Sequence, residues 1–182
     1  MDTYCTCEQL SVRMKSPSLN DNAKRVAGAE FIVHKRRANK FTKKMEYCSN
    51  LCKEDNETSS ICIDYKQNLH LPEIPVQEAF YLRQLNVNVF NIHNLRDNTA
   101  KLYIYHEGLV KKGPDEVCSF ILGYISNELP NTTKYLHIFS DSCPGQNRNN
   151  TVVRFLQTLV TTGRLKKYIP SFSDSWAFLH AL

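Results

Sequence analysis

The chain has no run of 18 or more apolar residues, and residues 1–11 are mainly polar. A membrane-spanning helix and a secretory signal both need a continuous apolar stretch. We therefore expect neither a membrane span nor a signal peptide, and we expect an intracellular protein. Internal repeats and low-complexity tracts are also lacking, while 42% of the 182 residues are hydrophobic and 23% are charged. This composition is typical of a globular domain.

The cysteines do not form the even, closely spaced set of a disulfide scaffold, since there are seven in a mid-sized chain. Reduced thiols are one interpretation, and a partly degraded zinc site is the other. Zinc-binding cysteines are typically two to four residues apart. Cys48 and Cys52 fit that spacing, Cys5 and Cys7 are closer together, and His34 is a further candidate ligand.

The positive charge is concentrated in the first third of the chain. Residues 1–53 contain 11 Lys or Arg against 5 Asp or Glu, although the net charge of the whole chain is only +5. Residues 23–47 have a thin apolar stripe at helical spacing, which predicts a basic helix. Its candidate nucleic-acid contacts are Lys35, Arg36, Arg37 and Lys40. The same residues are also compatible with a solvated helix face or a nuclear import signal.

Residues 58–165 alternate between strand and helix patterns. The predicted order is three strands, a helix, a strand and a helix, at 60–65, 85–93, 100–105, 113–129, 135–141 and 150–163. The second and third strands are expected to form a hairpin. We predict that residues 58–165 form a mixed α/β sheet with flanking helices. A basic helical region at 1–57 precedes this core, with a polar linker at 53–60 as the boundary, and an atypical tail at 166–182 follows it.

Two of these predicted strands have an aspartate at or near their carboxyl end, Asp64 and Asp141. A strand–helix–strand crossover returns the chain in parallel, so the carboxyl ends of the first and fourth strands are expected to adjoin. Paired carboxylates repel unless a cation lies between them, and Mg²⁺ or Mn²⁺ prefers such oxygen ligands. Alternatively, each Asp caps a turn.

Polar residues follow both aspartates and are candidate contacts to a phosphate backbone. Those that follow Asp141 lie just before a predicted helix, and the free N–H groups at a helix N-terminus favour anions. The candidates are Gln67, Asn68, Gln146, Asn147 and Arg148. Capping the helix and holding the loops is the structural alternative.

Residues 64–72 (DYKQNLHLP) and 139–149 (FSDSCPGQNRN) resemble the two signatures of an animal transposon-derived family that is common in insects. Residues 80–85, 91–93 and 113–117 add to the resemblance, which spans about residues 60–160. The resemblance implies an RNase H-like integrase core with an Asp/Asp/acid triad, in which Asp64 and Asp141 match the first two acids.

The third acid of that triad is not found. Relatives are expected to continue through a further strand and a helix that carries it, whereas Asp174 is the only acid after Asp141 here. We therefore expect a fold that is incomplete at the C-terminus, from a truncated or frame-shifted gene.

The resemblance implies a transposase-derived domain for two-metal phosphodiester transfer on DNA. The alternative is a non-catalytic nucleic-acid-binding or interaction remnant. Expected partners are DNA, Mg²⁺ or Mn²⁺, and a second copy of the chain. A nuclear location is expected, and no small-molecule substrate is indicated.

Overall fold

The computed structural model describes residues 3–72 and 82–173, with four helices and six strands in those ranges. The helices are α1 Thr3–Lys15, α2 Asp21–Glu54, α3 Pro114–Asn127 and α4 Asn150–Thr161. The strands are β1 Thr58–Tyr65, β2 Leu69–Leu71, β3 Leu85–Asn94, β4 Thr99–His106, β5 Tyr135–Asp141 and β6 Lys167–Ser173. The fold is mixed α/β, as the sequence predicted.

All six strands belong to one mixed sheet. Strands β4, β3, β1, β5 and β6 follow one another across the sheet. The short strand β2 pairs with the first residues of β3, beyond the end of β1. The β3–β4 hairpin and the β1–β3 pair are antiparallel, whereas β1–β5 and β5–β6 are parallel. The predicted hairpin is confirmed, and so is the parallel return of the fourth predicted strand to the side of the first.

Helices cover the sheet on both faces. The larger core packs α3 and α4 against alternate residues of the strands, including Ile61, Ile63 and Phe90. The opposite face packs against α2, where Phe41 and Met45 contact Cys62 and Phe139. The central strand β1 is buried along its whole length for this reason.

Local sequence signals set the ends of the two crossover helices. Pro114 opens α3 at a position where its missing N–H costs nothing, with Asp115 and Glu116 in the first turn. The side chain of Asn149 accepts a hydrogen bond from the Val152 N–H at 3.0 Å and caps α4. Gly163 follows α4 with a φ of 78°, which confirms the predicted stop.

The N-terminal region differs from the prediction in two ways. Helix α2 runs to Glu54, so only residues 55–57 separate it from β1, and the expected linker at 53–60 is wrong. The helix extends past its predicted end at residue 47 because its buried stripe continues. The residues of this stripe that pack on the sheet are Phe41, Met45, Cys48 and Cys52. Helix α1 was not predicted at all.

The sheet also continues past the expected end of the core at residue 165. Strand β6 lies parallel to β5, with Asp141 opposite Ser173. Its sequence, KYIPSFS, lacks regular alternation, and Pro170 is tolerated because β6 lies at the edge of the sheet. A strand therefore follows α4 where the sequence predicted an atypical tail. Within the described ranges, none of the helices combines the length and hydrophobicity that a membrane crossing requires.

We predict that Phe41→Ala lowers the free energy of unfolding by about 3–4 kcal/mol, since it removes a buried ring whose centroid lies 5.5 Å from that of Phe139. The measurement is urea unfolding. Tyr47→Ala on the same helix removes a ring that is 65% exposed and should cost far less. Equal losses in the two variants would show that α2 is not anchored to the sheet.

Candidate metal and nucleic-acid site

A row of polar side chains crosses the middle of the sheet near the carboxyl ends of its parallel strands. Asp64 on β1 lies opposite Asn91 on β3, and Asp141 on β5 lies opposite Ser173 on β6. The β1–β5 register pairs Cys62 with Phe139, so two residues further on Asp64 and Asp141 are neighbours. Directly opposed residues project from the same face, with strands about 4.8 Å apart.

This row lies on the face that α2 covers. Cys62 and Phe139 precede the two aspartates by two residues and pack against Phe41 of α2. Side chains alternate along a strand, so Asp64 and Asp141 project to that same side. They are 2% and 0% exposed, respectively. Both carboxyl groups are therefore held away from bulk water.

Several oxygen atoms in this buried row have no hydrogen-bonding partner among the described residues 3–72 and 82–173. They are Oδ1 and Oδ2 of Asp64, Oδ2 of Asp141, Oδ1 of Asn91 and Oδ1 of Asn147. Buried acceptors are ordinarily satisfied, because an unsatisfied one costs about 1–3 kcal/mol. Five in one neighbourhood therefore form an arrangement that a cation or a proton would stabilise.

The loop after β5 brings Asn147 to the aspartates. The carbonyl of Cys143 accepts hydrogen bonds from the N–H groups of Asn147 and Arg148, at 2.9 and 3.0 Å, and folds the loop into a tight turn. The Asn147 Nδ2 then donates to Asp141 Oδ1 at 2.5 Å. Asn147 was predicted as a nucleic-acid contact, but its side chain is buried and orients Asp141.

Burial, followed by the nearby charge of Asp141, raises the pKa of Asp64 to about 7, against the charges of Lys66 and Lys112. Burial also raises the pKa of Asp141, against the hydrogen bonds from Asn147 and the Cys143 N–H. Both shifts favour the protonated acid. A divalent cation bound between the carboxylates would reverse that preference.

Lys112 is a neighbour of Asp64 that the sequence did not reveal. Its Nζ donates to Asn68 Oδ1 at 2.5 Å and lies 4.8 Å from the centroid of the Tyr65 ring. Its pKa is lowered by burial, while the charge of Asp64 opposes this shift. Lys112 belongs to none of the predicted elements or family-like segments, so only the fold shows that it lies near Asp64. Asn68 is thus engaged by Lys112.

The oxygen-rich row fits a hard divalent cation such as Mg²⁺ or Mn²⁺, which takes carboxylate and amide oxygens. Asp64 and Asp141 would hold it, with Asn91 and Asn147 as neighbouring amide oxygens. Among residues 3–72 and 82–173, however, no group of three or more His, Cys, Asp or Glu side chains is arranged for a metal ion. Asp174, the only acid after Asp141, lies outside the described residues.

The other predicted nucleic-acid contacts are distributed over three places. Gln67 is exposed and Gln146 is half-buried near the ends of β1 and β5. The Arg148 guanidinium lies 5.7 Å from the centroid of the Phe172 ring on β6. On α2, Arg37 and Lys40 border a cavity shared with β6, and its lining does not include Lys35 and Arg36.

The described residues give no support to the predicted zinc site. Cys48 Sγ lies 3.4 Å from His137 Nδ1, and Cys52 Sγ lies 2.9 Å from Ser60 Oγ. Burial raises the pKa of both thiols, which opposes the thiolate form that zinc requires.

The remaining candidate ligands lie elsewhere. Helix α1 packs against the first half of α2, with Arg13 beside Glu30. Cys7 lies six residues before Arg13, which places it near position 36 of α2. Cys48 is about twelve residues further along α2, a distance of about 18 Å along the helix axis. His34 lines the cavity between α2 and β6. The side chain of Cys5 lies outside the described residues.

Comparisons with known proteins gave no match to this chain from any family model, curated protein or solved structure. The local geometry is therefore the basis for the functional proposal.

We predict that Asp64→Asn makes the protein more stable than the wild type at pH 8 without divalent cations, and by much less at pH 5. The folded-state pKa of about 7 exceeds the unfolded value, so wild-type stability falls as pH rises from about 4 to 7. The loss is at most about 4 kcal/mol, and the neutral amide avoids it. Urea unfolding at the two pH values measures the difference.

The matched control is Asp97→Asn, which changes an exposed carboxylate at the β3–β4 turn and should show no such pH-dependent gain. If Asp64→Asn were equally destabilising at pH 5 and pH 8, the Asp64 carboxylate would be ionised and satisfied in the folded protein.

Proposed function

We propose that this chain is a transposase-derived, RNase H-like domain that acts on DNA by divalent-metal-dependent phosphodiester transfer. Asp64 and Asp141 hold Mg²⁺ or Mn²⁺, and the basic α2 contributes contacts to nucleic acid. A nuclear location and assembly with a second copy belong to the same proposal. The observation that carries it is the buried Asp64–Asp141 pair, whose carboxylate oxygens remain largely unsatisfied.

The sheet supports the RNase H-like part of the proposal. Three antiparallel strands, β4, β3 and β1, are followed across the sheet by β5 and β6, both parallel to β1. This arrangement places the two family-like segments, 64–72 and 139–149, at the same end of neighbouring strands. Two stretches far apart in sequence thus adjoin, which supports the proposal.

The residues around the pair have separable roles. Asn147 fixes the Asp141 carboxyl group through its amide, and Lys112 places a positive charge near Asp64. The sheet keeps the two carboxyl groups one strand spacing apart. When bound, the divalent ion would activate the attacking oxygen and stabilise the leaving oxygen of a phosphodiester.

A second candidate function is a nucleic-acid-binding module without turnover. The burial of Asp64 and Asp141 favours it, because a phosphodiester must reach metal ions that the pair holds. The described residues contain no group of three potential metal ligands, which favours this candidate as well. Metal binding is expected under both functions, and DNA cleavage separates them.

We predict that Mn²⁺ at a hundred times its dissociation constant raises the free energy of unfolding at pH 8 by about 2.7 kcal/mol. The reason is that binding couples to the folded state only, where the two carboxylates adjoin. Asp64→Asn should abolish the gain, whereas Asp97→Asn should keep it. Stabilisation that persists in Asp64→Asn would place the ion elsewhere.

We also predict Mn²⁺-dependent nicking of supercoiled plasmid DNA by the full chain, lost in Asp64→Asn and retained in Asp97→Asn. Gel electrophoresis of the relaxed form measures it. Metal-dependent stabilisation without nicking would support the non-catalytic candidate. Absence of both in a folded chain would rule out the metal-dependent function.

A further inference from the structure

A cavity of about 440 Å³ lies between α2 and the carboxyl half of β6. Helix α2 supplies one wall and residues 170–173 supply the other. Its lining is His34, Arg37, Ala38, Lys40, Phe41, Lys44, Pro170, Ser171, Phe172 and Ser173. The volume is within the range of pockets that bind small ligands or groups.

Among the described residues, the ionisable side chains that line this cavity are all basic. Lys40 and Lys44 are one helical turn apart, and Arg37 lies three residues before Lys40. Among the described residues that line it there is no carboxylate. Such a cavity concentrates positive potential and favours an anion.

A buried hydroxyl in the same cavity lacks a partner. Ser171 is 7% exposed, and its Oγ makes no hydrogen bond within the described structure. It lies opposite Phe139 on β5, so its side chain projects toward α2 and into the cavity. A hydroxyl both donates and accepts, and here it is available to donate to an anionic oxygen.

We propose that this cavity binds a phosphate group of a nucleic-acid strand, with Lys40 and Lys44 contributing charge and the Ser171 hydroxyl donating a hydrogen bond. The assignment of nucleic acid as the source of the phosphate rests on the proposed function. The binding of a phosphate group does not, since it follows from the cavity itself.

The position of the cavity relates it to the aspartate pair. Ser173, which lines the cavity, lies opposite Asp141 in the β5–β6 register. Adjacent strands are about 4.8 Å apart. A strand of nucleic acid with one phosphate in the cavity would therefore have the next phosphates within reach of the carboxyl ends of β1 and β5. The cavity thus orients the substrate beside the metal-binding pair.

We predict that Lys40→Gln/Lys44→Gln weakens the binding of a single-stranded oligothymidine by the full chain, measured by fluorescence anisotropy in EDTA across a salt series. The slope of log affinity against log salt should fall by about 1.4, since each phosphate contact on a single strand contributes about 0.7. The control is Lys35→Gln/Lys43→Gln, which removes the same charge from α2 outside the cavity and should change the slope much less.

Equal slope changes in the two double variants would overturn the cavity assignment and indicate a diffuse basic helix. Failure of the wild type to bind the oligonucleotide, with inorganic phosphate binding that depends on Lys40 and Lys44, would keep the anion site and overturn nucleic acid as its source. Because EDTA removes divalent ions, these results are independent of the Mn²⁺ tests on Asp64.

Ser171→Ala separates a binding role from a structural one. Without ligand, loss of an unsatisfied buried hydroxyl should raise the midpoint of thermal unfolding. The same variant should bind the oligonucleotide several-fold more weakly than the wild type. A lowered unfolding midpoint with unchanged binding would show that the hydroxyl serves the fold, and would overturn its assignment as a donor to phosphate.

Discussion

The parallel pairing of β1 with β5 is the constraint on which the site depends. It places Asp64 and Asp141 one strand spacing apart on a buried face, where neither carboxyl group is fully satisfied. Hydrophobic contacts on both faces of the sheet, through α2 on one side and α3 with α4 on the other, hold this pairing in place. The fold therefore bears an electrostatic cost that a bound cation would offset.

The long basic helix α2 has two roles along its length. Its second half, from Phe41 to Cys52, completes the hydrophobic core beneath the strands. Further toward its N-terminus, at positions 34–44, it presents basic side chains to the cavity beside β6. Because the apolar stripe fixes the rotation of the helix, it also fixes which basic residues border the cavity and which lie outside it.

Local patterns in the sequence were enough to predict the central elements. The strand patterns ending at Asp64 and Asp141, and the crossover helix between β4 and β5, together required the two acids to adjoin. Strand β6 was missed because an edge strand need not alternate or exclude proline. The roles of Lys112 and Ser171 depend on contacts between distant segments, which no periodicity encodes. Asn147 was identified as a site residue, but its burial against Asp141 was not foreseen.

The burial of the aspartate pair and the basic cavity beside it bear jointly on function. Without a cation, the raised pKa values of both aspartates favour their protonated forms, which need no neighbouring positive charge. With a divalent ion bound, both carboxylates are ionised and the site carries metal charge that attracts a phosphate. Under this proposal, a phosphate bound in the cavity one strand away would orient the substrate beside the metal. Metal and phosphate would then each favour the binding of the other, which requires that their sites be close, as Asp141 and Ser173 are across the β5–β6 register.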